Sequence, residues 1–523
     1  MKKINITVLA FAGIIALNSC TAKNVATTTP ETPIPPTETV KETPEKGLDL
    51  TAMDKSVRPQ DDFYNFVNGS WMKTAVIPSD KSTWGSFNKL AEDTDNNSMT
   101  ILNSLLTEKF AEGSEGKKIQ DLYGTYMNMD KRNADGINPI KGDLAKIDGI
   151  KSVSDLQNYL IEATKNGENP FYAWGIDADL KDSKMNAVYL GNASLGMGRD
   201  YYQKDNPKNA EAMAEYTKYV ASMLDVLGYK NSSATAQNIV KFEKSIAKTY
   251  LTNEQIRDAT LQYNPKTMTE LSALVKNVNL PKYLAAVGVK TDKVIVGELN
   301  YYKNLDQFIN QKNLPLIKDY MKFHLLSGSA SYLSKNLDEQ KFNFYGKYLR
   351  GQQEQRAQNK RGFELINGVL GEAFGKLYVE KYFPAEAKSQ MVELIGYLKK
   401  SFSAHINNLA WMSPVTKEKA MKKLNTFTVK VAYPDKWKDY SKLQFEAAEN
   451  GGSLYKNLQN YTAWQYQKDL DKIGKPVDKT EWGMSPQTVN AYYNPLNNEI
   501  VFPAAILQPP FFNPEAAAAT NFG

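Results

Sequence analysis

A chain of 523 residues, 42% hydrophobic and 23% charged, has the composition of a water-soluble globular protein with room for two or more domains around a large core. Its formal charge of +6 falls to +4 if Lys2 and Lys3 leave with an amino-terminal leader. Over this length that gives no electrostatic case for nucleic acid as a partner, and no basic cluster supplies one locally.

The lone cysteine, Cys20, excludes a disulfide framework. Lys2 and Lys3 precede an apolar run over residues 4–17, too short for a spanning helix and of the length of a secretory h-region. Leu17-Asn18-Ser19-Cys20 closes that run and resembles a bacterial lipobox. The resemblance implies a lipoprotein signal peptide at 1–19 and lipidation of Cys20, giving an exported protein held in the cell envelope by acyl chains. Each buried CH₂ would contribute about 0.8 kcal/mol to that anchor. The alternative is a free cysteine in an ordinary signal sequence. Residues 20–47, rich in Thr, Pro and Glu, carry too little apolar surface to pack and read as a disordered tether.

From about residue 60 to 470 the apolar residues recur at helical spacing. Ser152 with Asp155 three positions on approximates a capping box ahead of Leu156, Tyr159, Leu160 and Ala163. Residues 171–180 and 185–193 flank the polar Lys181-Asp182-Ser183-Lys184 and predict a β-hairpin among the helices. Met213, Tyr216, Val220, Leu224 and Leu227 mark one helix ending at Gly228, and Ile239, Phe242, Ile246 and Tyr250 mark the next. A long helix follows Pro384, with Met391, Leu394, Leu398, Phe402, Ile406 and Leu409 on one stripe expected to be buried. Residues 488–493 and 499–502, joined by Asn494-Pro495-Leu496-Asn497-Asn498, predict a second hairpin.

No complete catalytic constellation stands in these residues. A zinc hydrolase normally uses three protein ligands and an open position for water. The two histidines, His324 and His405, are 81 positions apart, and neither begins a His-Glu-x-x-His. Both read as helix residues. No Gly-x-Ser-x-Gly or phosphate-cradling glycine loop occurs. Spacing alone selects no catalytic pair among the 58 carboxylates. The hairpin at 488–502 offers a possible open edge to an extended peptide, with Asn490 adding an amide and Tyr492 and Tyr493 on opposite faces. A plain structural hairpin is the other reading.

Motifs across the chain then point to a family. Asn490-Ala491-Tyr492-Tyr493, followed by Ile500-Val501-Phe502-Pro503-Ala504-Ala505-Ile506-Leu507-Gln508-Pro509-Pro510-Phe511-Phe512, resembles the segment leading into the zinc motif of neprilysin and endothelin-converting-enzyme metallopeptidases. Asp61-Asp62-Phe63-Tyr64-Asn65-Phe66-Val67-Asn68-Gly69-Ser70-Trp71, Gly196-Met197-Gly198-Arg199-Asp200-Tyr201-Tyr202 and Tyr433-Pro434-Asp435-Lys436-Trp437 keep the family's order upstream.

The resemblance implies a mainly α fold: a large helical lid domain with a small β-hairpin insertion over 48–470, then the first β-hairpin of a thermolysin-like α+β catalytic domain over 471–523. It implies a peptide-admitting cavity and zinc-dependent hydrolysis of short peptides. Asn490 and Ala491 are expected to bind the substrate backbone, and Tyr493 is expected to contribute to substrate binding. The family's zinc ligands and catalytic groups follow a His-Glu-x-x-His that this sequence lacks, so no catalytic or metal residue is assigned and these 523 residues are expected to be inactive alone. Tyr492, Val501, Phe502, Phe511 and Phe512 are expected to be exposed. The alternatives are a non-catalytic, helix-rich surface lipoprotein that captures peptides or glycans, and a lid-only decoy.

Overall fold

The computed structural model describes Gly47 and residues 49–523. Cys20, the signal peptide and nearly all of the tether lie outside the described residues. Helices dominate, as the spacing predicts, and they begin where local chemistry starts them. Ser152 accepts the Asp155 N–H while the Asp155 carboxylate accepts the Ser152 N–H, and the helix Val153–Lys165 follows. Asn206 caps the helix Pro207–Val226, whose first residue is a proline preset for helical φ. Gly228 then takes the left-handed conformation, φ +79°, that ends it.

Seven strands are set among the described helices. β1 (Trp174–Ala178) and β2 (Asn186–Leu190) form the first hairpin. That hairpin is half of a four-stranded sheet. β3 (Asn264–Thr267) and β4 (Lys293–Val296) complete it in the order β1-β2-β4-β3, with β2 and β4 parallel. Periodicity missed β3 and β4 because each is four residues long. β5 (Thr428–Ala432), β6 (Tyr492–Asn494) and β7 (Glu499–Pro503) make the second sheet in the order β5-β7-β6.

Three cores hold the molecule together. The largest joins the helices Val153–Lys165, Pro207–Val226, Ser232–Ala247 and Leu314–Ser329 to the four-stranded sheet. It is rich in tyrosine: Tyr172, Tyr202, Tyr216, Tyr283, Tyr301, Tyr302 and Tyr320 are fully buried. Several phenols donate to the backbone of one loop, Tyr302 to Gly191 O, Tyr250 to Ala193 O and Tyr320 to Ser194 O. The tyrosine content therefore serves packing, with most polar tips satisfied in place and the Tyr172 hydroxyl left without a partner among the described residues. A second core joins the helices Ser86–Leu105, Glu115–Met127, Gln358–Tyr382 and Leu454–Leu470.

The third core corrects two expectations. β5, which precedes residue 470, pairs in parallel with β7 along its whole length, Thr428 with Glu499 through Ala432 with Pro503. With Met391 and Ile395 it covers the carboxyl-terminal hairpin. Val501 and Phe512 are buried, Tyr492 and Phe502 half-buried, and of the five residues expected at the surface only Phe511 is exposed. The long helix Ala385–Asn408 departs the other way. Ala387, Met391 and Ile395 are buried, but Leu398 is 44% and Phe402 64% exposed, because the carboxyl-terminal half of the helix runs past the sheet.

Candidate functional site

A cavity of about 1450 Å³ opens between the two sheets. One side is β1, the other the carboxyl-terminal sheet, which turns Tyr492, Asn494 and Glu499 inward. The helices Gln358–Tyr382 and Leu454–Leu470 and Trp437 close the space between them. The local chain fixes each inward group. Strand alternation sends Tyr492 and Asn494 to one face, and the Tyr492 hydroxyl accepts the Gly483 N–H at 2.8 Å. Burial pushes that phenol up to about 12. Glu372 accepts the Lys438 N–H at 2.7 Å, which fastens the segment carrying Trp437 to the helix behind it.

The lining is electronegative, with ten carboxylates against six basic side chains. Glu499, which lines the cavity, pairs with Lys430 at 2.8 Å, and both side chains are almost fully buried. Among the described residues Asp177 and Asp469 are not paired in this way within 4 Å, and burial raises both carboxyls above the usual range. Burial lowers Lys468 for the same reason.

The residues singled out from sequence stand beside Tyr492 in the chain but do not line the cavity. Asn490 is exposed, and its Oδ1 accepts the Ala491 N–H at 2.8 Å. Ala491 is half-buried. Tyr493 stacks on Phe427 with centroids 5.9 Å apart and donates to Asn498 Oδ1, so its ring faces away from the cavity that Tyr492 faces. Glu372 and Glu499 were not found from sequence, and Trp437 was met only inside a family motif, because non-local packing brings them to the cavity.

The histidines are placed apart from this site. His324 Nε2 lies 2.7 Å from Glu243 Oε1, beside a second cavity of about 500 Å³. Glu243 is fully buried and also accepts from the Tyr202 and Tyr216 hydroxyls at 2.6 and 3.1 Å. His405 is exposed on the helix Ala385–Asn408. Among the described residues no group of three or more His, Cys, Asp or Glu side chains is arranged to hold a metal.

Comparison with known proteins places this architecture. The amino-terminal pattern of Peptidase family M13 matches residues 59–434, and a second pattern of the same family matches 490–523. The neutral endopeptidase of Lactococcus lactis subsp. lactis is 28% identical over 470 residues, 89% of this chain and 74% of the relative. That of Lactobacillus helveticus is 30% identical over 484 residues, 91% of this chain and 74% of the relative. The solved structure of a Mycobacterium tuberculosis zinc metalloprotease with an inhibitor superposes with a TM-score of 0.85 at 34% identity, covering 90% of this chain and 72% of that one. The zinc in that description finds no matching donor set among the described residues here. With one family pattern spanning well over half of its length and order kept from the amino-terminal helices to the last hairpin, the chain belongs to Peptidase family M13, a family of metallopeptidases.

Proposed function

We propose that this protein handles short peptides as a zinc metalloendopeptidase of neprilysin type, and that these 523 residues supply its peptide chamber without its zinc site. The observation that carries the reading is the cavity between the two sheets, with the short strand β6 at its rim. A strand with a free edge binds an extended peptide through main-chain hydrogen bonds and reads little else. In this reading Asn490, Ala491 and the main chain of Tyr493 hold the substrate backbone. Residues 48–470 act as the helical domain and 471–523 as the start of the catalytic domain.

Hydrolysis is not assigned to any described residue. His324 is committed to Glu243 and His405 stands on an exposed helix face, so neither has two partner donors with which to hold a metal. The test is to incubate the 523-residue chain with labelled short peptides, with and without added zinc, and follow retention and cleavage by mass spectrometry. Retention without cleavage is the expected result. Chelator-sensitive cleavage would overturn the inactivity, and retention of oligosaccharides in place of peptides would overturn the substrate class.

A lipid anchor at Cys20 belongs to the same proposal. It rests on the Leu17-Asn18-Ser19-Cys20 sequence after a short apolar run. Among the described residues no helix is long and apolar enough to cross a membrane. Expression in a bacterium with Cys20→Ser should move the protein from the detergent phase to the aqueous phase; equal partitioning of both forms would refute the anchor.

A further inference from the structure

β1 is the terminal strand of the four-stranded sheet, and every residue from 173 to 178 lines the large cavity. Its hydrogen bonds to β2 can be assigned by alternation. The Gly191 N–H donates to Ala173 O and the Asp179 N–H to Met185 O, so in the antiparallel register the odd-numbered residues bond to β2. Trp174, Ile176 and Ala178 therefore turn their main-chain groups to the outer edge. Ala178 is satisfied locally, its N–H by Asp177 Oδ1 and its carbonyl by the Tyr189 hydroxyl, both at 2.7 Å. The N–H and C=O groups of Trp174 and Ile176 have no partner among the described residues.

Edge strands in folded proteins are usually shortened, covered or interrupted. This one carries no proline, lysine or bulge and faces a cavity instead of bulk surface. Asp177, next along the edge, lines the same cavity and has no ion pair within 4 Å among the described residues. Gly175 leaves the neighbouring same-face position without a side chain.

We propose that the outer edge of β1 is a second peptide-docking edge, where an extended peptide adds as a strand through the main chain of Ile176 and Trp174 and sets a Lys or Arg side chain against Asp177. The inference rests on the peptide-chamber reading and deepens it. The new pair across the edge at Asp177 is a non-hydrogen-bonded one, the arrangement that brings side chains closest. The excess of carboxylates in the lining favours the same class of cationic peptide. β1 and β6 would then grip two stretches of one peptide from opposite sides of the cavity.

The test is amide hydrogen exchange on the full chain, alone and saturated with a fluorescein-labelled extended peptide bearing one lysine, with a Lys-to-Gln peptide as control. Exchange should slow at Trp174 and Ile176. Asp177→Asn should weaken the lysine peptide about two- to fivefold and leave the control unchanged. Ile176→Pro should abolish the slowing at β1, since the Ile176 N–H does not serve the ladder to β2. Should Ile176→Pro fail to fold, the exchange data and Asp177→Asn decide. Slowing over residues 490–494 with none over 174–178 would overturn this inference and leave the peptide chamber standing. Binding of neither peptide would overturn the chamber itself, and this edge with it.

Discussion

Replacing Glu243 with alanine tests the polar centre of the largest core. The carboxylate is fully buried and receives three donors, from Tyr202, Tyr216 and His324. Burial first, and the Glu243 charge second, hold both tyrosines well above their ordinary range, so they stay protonated and donate. Removing the acceptor strands up to three buried donors, each worth about 1–3 kcal/mol when left unsatisfied. Allowing for rotation of His324 toward its cavity, Glu243→Ala should cost about 4 kcal/mol and Glu243→Gln, which keeps one acceptor, about 2. A chain of this size need not unfold in one step, so the assay is local: hydrogen exchange of core amides in the helices Ser232–Ala247 and Leu314–Ser329 under native conditions. A loss below about 1 kcal/mol for Glu243→Ala would refute the reasoning, because it would mean the donors find other partners freely.

Three further outcomes follow from the same geometry. A Cβ at Gly196 would stand 1.6 Å from the Tyr216 hydroxyl, so Gly196→Ala should pull Tyr216 off Glu243 and cost about 2–4 kcal/mol by the same exchange assay, and a neutral result would show that the Tyr216 contact is dispensable. Burial raises Glu168 to about 7, with Tyr455 donating to it at 2.8 Å and Asp143 and Lys146 nearby. The folded state therefore holds this proton more tightly than the unfolded chain. Its contribution is full below pH 4.5 and is lost as pH rises toward 7, on the order of 3 kcal/mol in all. Local stabilities from native hydrogen exchange near Glu168, for Glu168→Gln against the parent, should converge at low pH and part across that window, and parallel curves would refute the assignment. Arg132 donates to the carbonyls of Tyr126, Ser331 and Leu333 from a buried position, so Arg132→Met should cost about 3 kcal/mol, read as faster native exchange of the surrounding amides, while unchanged exchange would mean that water replaces all three bonds.

What could be read from sequence was local. The Ser152–Asp155 box and the Gly228 stop each act within one turn of chain, and each helix stands where they put it. The motifs from Asp61 to Phe512 carried the family and hence the fold class. What stayed hidden depended on partners distant in sequence. Period-two alternation said that Tyr492 and Tyr493 face opposite ways but not which one meets the cavity, since that is set by the pairing of β6 with β7. The apolar stripe through Leu398 and Phe402 is a true helical stripe, yet among the described residues nothing covers it at that end of the helix. His324 was legible as a helix residue, and Glu243, 81 positions earlier, was not legible as its partner.

The parallel pairing of β5 with β7 also sets a timetable for synthesis. Thr428 waits for Glu499, 71 positions further along the chain. At about 5–20 residues per second, a ribosome leaves β5 without its neighbour for roughly 4–14 seconds. During that interval Val429 and Val431 present a bare apolar strand, while the cores formed earlier in the chain are free to close. The last sheet is therefore the stage at which a nascent chain of this protein most needs shielding from its neighbours on the same messenger.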